Sequence, residues 1–358
     1  MKKTNLKKAV QAVVLAISVL VMSSCKKNDN DINVPGEGFT NGFYILNEGP
    51  FQTGTGTIDF VNDDGTVTRD IFAVANNGMA LGNIVQSVCI IGPRTFVVVN
   101  NANKIERVNT KTFVTEGITG ELLSPRYMIA ADDSNAFVSC IGDNSVKIVS
   151  LVSFTVTGSL PVNGPEKMMK AGNHIWVLNQ GGYSVDSTIT VIDIATKTIV
   201  DTIAVYPQPS GIREDIDGNI WVMCTGRNAW HPGGNSEGHL VCIDPEDFSV
   251  IRDIAFPSSE SHPEELAINS VGDVLYYRYP DGIYRFGIAA LQPEAVPFIP
   301  RATGFYTLAY DAEHGLILGS DPADYISDGW VFRFNEVTGV AVDSIKAGIL
   351  PGEIYFVP

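Results

Sequence analysis

A unit of roughly 40 to 50 residues recurs along most of this chain, and no other feature restricts its fold so strongly. The clearest copy opens at Pro165 with PEKMMKAG, turns at Gly172-Asn173, and continues through HIWVLNQ and TITVIDIATKTIVDTIAV. The next opens at Pro209 as PSGIREDIDGNIWVMCTG, followed by HLVCIDPEDFSVIRDIAF, and gives way to another at Pro263. The same frame fits from Gln86 and Pro125, and in a weaker copy from Gly304. Each unit is a set of short alternating segments punctuated by Gly, Asn, Asp and Pro, which predicts strands joined by tight turns. No stretch after residue 40 sustains a helical period. A large apolar residue falls about twelve positions after each opening: Phe96, Phe137, Trp176, Trp221, Leu275 and Leu316. Those side chains are expected to pack between neighbouring four-stranded sheets.

The two ends complete the pattern only together. GFYILNEG…TIDFVNDDGTVTRDIFAV, near the start, supplies the last three strands of a unit without its opening strand. PGEIYFVP, from Pro351, is an opening strand with nothing after it. Joined, they make a seventh unit and close a ring, which removes the exposed edges of an open array. The expectation is an all-β, seven-bladed β-propeller of four-stranded antiparallel blades over residues 41–358, closed by pairing N- and C-terminal strands. A 45% hydrophobic and 18% charged composition supplies the core, and 34 glycines suit its many turns.

The first residues read as an address. Lys2, Lys3, Lys7 and Lys8 precede an apolar run from Ala9 to Met22 and the small pair Ser23-Ser24. That run is too short to cross a bilayer and has the layout of a secretory signal, residues 1–24. Cys25 then resembles the acylated first residue of a bacterial lipoprotein. Residues 25–40 are polar and contain Pro35, as a flexible tether would be. Asp29 and Asp31 loosely resemble a surface-export signal, although Lys26 and Lys27 depart from its acidic pattern. The expectation is a lipid-anchored protein of the outer membrane, displayed at the cell surface. Loss of the first 24 residues removes four lysines and no acid, taking the net charge from −16 to −20. That field excludes nucleic acid as a partner.

The pattern IWVLNQ…TVIDIATKTIVDTIAV…DGNIWV over residues 175–223 resembles the YVTN-repeat, or YncE-like, β-propellers. LNEG at 46–49, LGNIVQSV at 81–88, VVNNANKIE at 98–106 and SPRYM at 124–128 are similar to surface lipoproteins of that class found near nutrient-uptake receptors. The class includes cobalamin-binding accessory lipoproteins that cap an outer-membrane transporter. The resemblance therefore implies ligand capture, with a corrinoid or a glycan as candidate ligand and an outer-membrane transporter as candidate partner.

In such a blade, the entry to the inner strand and the loop after the second strand emerge on one face. That loop grows from IGDN at 141–144 to GGYSVDS at 181–187, GRNAWHPGGNSEGH at 226–239 and DPADYISDG at 321–329. Long loops on one side of a rigid scaffold are the usual place for binding. Inner-strand entries place Gln86, Arg126, Glu166, Ser210, Glu264, Tyr306 and Glu353 around the channel mouth, with Glu48, Tyr127, Trp230, His231 and His262 nearby. Aromatic rings among a few polar groups suit a planar ligand.

Other motifs carry less. GNSEG at 234–238 has the spacing of a nucleophile elbow but lies between two strands rather than before a helix. The segment from Asp215 to Asn219 opens like a calcium loop yet has Gly226 at the twelfth position, so it reads as a turn. TGTGT at 53–57 lacks the lysine of a phosphate loop. His231, His239 and His262 have no diagnostic metal-ligand spacing. Cys89, Cys140, Cys224 and Cys242 read as buried thiols, Cys224 and Cys242 being the one pair placed for a cross-strand bridge. The sequence therefore suggests a binding protein without catalysis, cofactor or metal. The alternatives are an interaction module with no small-molecule pocket and a metal-dependent lactonase or lyase.

Overall fold

The computed structural model describes residues 38–358. The signal segment, Cys25 and most of the tether lie outside the described residues. The chain opens with β1 (Gly42–Asn47), β2 (Thr57–Asn62), β3 (Val67–Thr68) and helix α1 (Ile71–Ala75). The second blade is β4 (Val85–Ile91), β5 (Arg94–Val99), β6 (Lys104–Asn109) and β7 (Thr115–Thr119). The third is β8 (Pro125–Ala130), β9 (Asn135–Cys140), β10 (Ser145–Ser150) and β11 (Thr155–Pro161). The fourth is β12 (Pro165–Ala171), β13 (His174–Asn179), β14 (Thr188–Asp193) and β15 (Thr198–Ala204). The fifth is β16 (Pro209–Glu214), β17 (Ile220–Cys224), β18 (His239–Ile243) and β19 (Val250–Ala255). The sixth is β20 (Glu264–Ile268), β21 (Val274–Tyr279), β22 (Gly282–Gly287) and β23 (Ile299–Pro300). The seventh is β24 (Leu308–Asp311), β25 (Leu316–Asp321), β26 (Asp328–Asn335) and β27 (Ala341–Ile349), after which β28 (Pro351–Phe356) returns to the first.

These strands form seven four-stranded sheets, and the first has the order β28-β1-β2-β3. Its register pairs Phe43 with Phe356, Tyr44 with Tyr355 and Ile45 with Ile354, so the ring closes as the two sequence ends require. Arg69 ties this blade to the seventh. Its guanidinium reaches the Asp59 carboxylate at 2.6 Å and that of Asp328 at 3.1 Å, and donates to the carbonyls of Lys346 and Ala347.

Second strands are nearly continuous in apolar residues because each blade is covered on both faces. Along β1, Phe43 and Ile45 join a cluster with Leu318 and Val331 of the seventh blade, while Tyr44 and Leu46 join one with Val85 and Val97 of the second. Along β13, Ile175 and Val177 pack towards the third blade, and Trp176 and Leu178 towards the fifth. Alternation thus distributes side chains between two interfaces instead of between core and water. Of the six marker residues, Phe96, Phe137, Trp176, Trp221 and Leu275 are buried, and Leu316 packs half-buried at the edge of its cluster. Full burial of side chains this size contributes about 1.5–3 kcal/mol each.

A recurring turn after the third strand also feeds these interfaces. In five blades the fifth residue returns its N–H to the first residue's carbonyl, as Phe113 does to Asn109 and Phe154 to Ser150. That fifth residue has positive φ: Phe113, Phe154, Lys197, Phe248 and Gly339. Phe154 and Phe248 then lie edge-on to Phe96 and Trp176, at 5.5 and 5.6 Å.

Two segments differ from the sequence expectation. TVTRDIFAV is not one outer strand, because β3 is only Val67–Thr68 and IFAVA forms α1. Asp59 accepts from the Asp70 N–H at 3.0 Å, Asp70 caps the N–H of Ala73 at 3.3 Å, and Ile71 and Phe72 enter the core. Phe39, in the expected tether, is fully buried against Phe60 and Phe113, and its N–H donates to the Lys111 carbonyl. The ordered body therefore starts before Asn41.

Candidate functional site

Six of the seven inner strands begin with a break in register, and this shapes the channel mouth. The ladder slips between Val85 and Ser87, Pro125 and Met128, Pro165 and Met168, Pro209 and Gly211, and Glu264 and Ala267. On the sixth of these strands, β28, the slip falls between Glu353 and Pro351. Each adds one residue to the inner strand, and a bulge of this kind re-aims a side chain. The added residues fall at Gln86, Arg126-Tyr127, Glu166-Lys167, Ser210, Glu265-Leu266 and Gly352. Glu265 occupies the left-handed region at φ 55°, a cost that the surrounding ladder must sustain.

The side chains form two tiers. In the outer tier, Arg126 donates through Nε to Glu166 at 2.8 Å and also contacts Gln86, linking three successive blades. Tyr306 donates to Glu48 at 3.0 Å, Glu264 pairs with Arg278, and Thr225 bonds Ser210 at 2.9 Å. Burial pushes the Glu48 carboxyl up, against the opposing hydrogen bond from Tyr306 and the charge of Arg126. Burial works against the charge of Arg126 too, but Glu166, Tyr127 and Glu48 outweigh it and hold the guanidinium protonated.

The inner tier comprises Tyr127, Lys167, Arg213, Glu265 and Glu353, which line a cavity of about 410 Å³. Lys167 reaches across from the fourth blade to Glu265 of the sixth at 2.5 Å. Glu353 is pushed up to about 7 by burial, with Glu265 adding to the shift and Lys167, Arg213 and Arg126 opposing it. Burial lowers Arg213 and raises Tyr127 well above its ordinary value.

The structure brings Glu48, Arg126, Tyr127, Glu166, Tyr306 and Glu353 into this cluster, and Glu264 joins its outer tier through Arg278 of its own blade. His262 reaches the outer tier through Thr225, whereas Trp230 and His231 stand apart from it on the long loop 226–239. His262 contacts the Thr225 carbonyl through Nδ1 at 3.0 Å, and His231 is buried beside Trp230 with no partner for Nε2 among the described residues. Trp230 is 74% exposed. Phe51, Tyr183, Tyr325 and Ile326 are also exposed, each in a second-to-third-strand loop on the same face. Sequence reasoning missed Lys167, Arg213 and Glu265; for Lys167 and Glu265 the available signal was a second charged residue beside the strand opening, and for Arg213 a charge within the apolar run of β16.

The discounted motifs have structural uses. Ser236 Oγ accepts from the Arg227 N–H at 2.9 Å within the long loop. Asp215 accepts from the N–H groups of Asp217 and Asn219 and from Trp221 Nε1, bracing a turn. His239 Nδ1 lies 2.7 Å from Asp253, with its ring stacked on Tyr206. Cys89, Cys140, Cys224 and Cys242 are buried free thiols, and Cys224 faces His239 rather than Cys242.

A family model described as Domain of unknown function (DUF5074) matches residues 41–347. None of the curated proteins matches the sequence. The fold is similar to a quinonprotein alcohol dehydrogenase-like protein from Bacteroides thetaiotaomicron: 15% identity, 90% of this chain and 80% of that one covered, TM-score 0.67. It is similar to a 6-phosphogluconolactonase-like protein from Bacteroides fragilis at 13% identity, with 89% and 98% covered and TM-score 0.63. It also resembles apo AztD from Citrobacter koseri at 11% identity, with 88% and 97% covered and TM-score 0.56. At these identities the likeness is one of fold.

Proposed function

The chain belongs to the DUF5074 family, and from that premise we propose that it is a lipid-anchored surface propeller that captures a small ligand with its loop-bearing face, without turnover. The observation that carries this reading is the coincidence on one face of the bulged strand entries, the polar mouth and the exposed rings of Phe51, Tyr183, Trp230 and Tyr325. Exposed aromatic rings offer large, stiff contact area at little entropic cost, and the polar mouth supplies orientation. A corrinoid or a glycan fits this chemistry, since each presents a broad face edged by hydrogen-bonding groups. The same rings support a second reading, in which the face docks on an outer-membrane transporter.

Thermal shift and calorimetry against a panel of corrinoids and glycans test the proposal. A ligand at a hundred times its Kd adds about 2.7 kcal/mol to stability. That gain should shrink in the double variant Trp230→Ala, Tyr183→Ala. Flat responses across the panel would overturn small-ligand capture and leave docking. The anchor is tested separately: Cys25→Ala should release the protein from membranes, and retention would refute lipidation.

A further inference from the structure

Among the described residues, two of the four charged side chains lining the inner cavity, Arg213 and Glu353, have no charge partner within ion-pair distance. Arg126 is closed by Glu166 and Lys167 by Glu265, at 2.8 and 2.5 Å. Arg213 donates only to the carbonyl of Ile212, at 2.6 Å, and Glu353 makes no side-chain hydrogen bond or ion pair among the described residues. Both line the 410 Å³ cavity, and the two feel one another's charge without touching. A channel built only for stability would carry apolar side chains here, since unpaired charge withdrawn from water is costly. The burial shifts of Glu353 and Arg213 register that cost.

The cavity wall is part charged and part apolar. Lys167, Glu265 and Glu353 lie towards the strand entries and Arg213 lies deeper, opposite Trp221 as Met169 is opposite Trp176, while Met168, Met169, Leu308, Ile354 and Tyr355 supply the apolar wall. A simple anion here would face Glu265 and Glu353, and a simple cation would face Lys167 and Arg213. A molecule carrying both signs at one end satisfies the two unpaired groups together, and an apolar body then covers the methionines. We infer that the channel between Arg213 and Glu353 binds a small zwitterion with an apolar body, an apolar α-amino acid, its carboxylate on Arg213 and its ammonium on Glu353. The volume falls within the range of small-molecule sites. This site lies below the aromatic loops and does not depend on them.

Calorimetry of the full chain with L-phenylalanine, L-leucine and L-methionine tests the assignment. Saturable binding is expected, with 3-phenylpropionate and phenethylamine each weaker than L-phenylalanine by at least about tenfold. Glu353→Gln and Arg213→Gln should each weaken L-phenylalanine by a similar factor. Glu353→Gln removes an unfavourable buried charge, so it should fold at least as well as the parent and keeps the test decisive if Arg213→Gln does not. The double loop variant Trp230→Ala, Tyr183→Ala should bind the amino acid unchanged, which separates this site from the capture face. No binding of the three amino acids up to about 10 mM, equal binding of the singly charged analogues, or full affinity in Glu353→Gln would overturn the proposal.

Discussion

Trp176 and Trp221 occupy the same position in neighbouring blades, on β13 and β17, and both are buried. Their indole nitrogens differ. Trp221 Nε1 donates to Asp215 Oδ2 at 2.7 Å, whereas Trp176 Nε1 is buried with no partner among the described residues. Replacing either by Phe removes the N–H and part of the ring, so the packing loss is shared and the polar terms have opposite sign. Trp221→Phe breaks a hydrogen bond to a charged acceptor, about 1.5–3 kcal/mol, and shrinks the ring beneath Arg252. Trp176→Phe deletes an unsatisfied donor and recovers about 1–3 kcal/mol. Trp221→Phe should therefore be the more destabilising by about 3 kcal/mol. Equilibrium urea unfolding at neutral pH, followed by circular dichroism, reads the difference as a shift in midpoint at constant slope. Losses equal to within about 1 kcal/mol, or a greater loss in Trp176→Phe, would refute the reasoning.

Arg69→Ala strips the guanidinium from the buried Asp59 carboxylate and unties the first blade from the seventh, at about 3 kcal/mol by thermal unfolding. A loss below about 1 kcal/mol would show that Asn47 and the Asp70 N–H suffice for Asp59. Glu353 binds its proton more tightly folded than unfolded, so it costs nothing well below its unfolded value near 4.5 and penalises the fold increasingly as pH rises to about 7. It faces Arg126 and Tyr127 on β8, Lys167 on β12, Arg213 on β16 and Glu265 on β20. Glu353→Gln should flatten the stability profile across that window, and an unchanged slope would count against a raised carboxyl. Gly164 has φ 54°, and a Cβ there would lie 2.1 Å from the Gly182 nitrogen. Gly164→Ala should lower stability by more than about 2 kcal/mol and make loop 181–187 more sensitive to proteolysis. Wild-type cleavage and stability would dismiss the steric argument.

Blade number and the inter-blade residues were legible in the sequence because the unit recurs along the chain with the same spacing and paired apolar faces, and ring closure because the two end fragments complete one another. Trp176 and Phe137 could be assigned from their positions alone. The inner tier was harder to see, since one added residue reverses which side chains face the channel and leaves no mark in a six-residue strand. Lys167 meets Glu265 across 98 residues of chain, a pairing that no local pattern encodes. Phe39 was hidden for a similar reason: its polar neighbours suggested a tether, and its partner Phe113 belongs to another blade's turn. Placing Trp230 near the mouth followed from counting loops, but the fourteen-residue connection at 226–239 that carries it has room to settle on its own blade.

The pairing of β28 with β1 has a consequence for how the molecule is made. Just ahead of β28, Gly348 of β27 donates its N–H to the Asn47 side chain across 301 residues of sequence. At 5–20 residues per second, a ribosome needs roughly 15–60 s to travel that distance. Throughout that interval the first hairpin exists without its innermost neighbour, and for most of it Phe43 and Ile45 have nothing from the seventh blade to cover them. Birth order and completion order are therefore inverted, and the earliest blade to emerge is the last to be finished. Until then the nascent chain is an open arc, with its unpaired edge at the very end that is translated first.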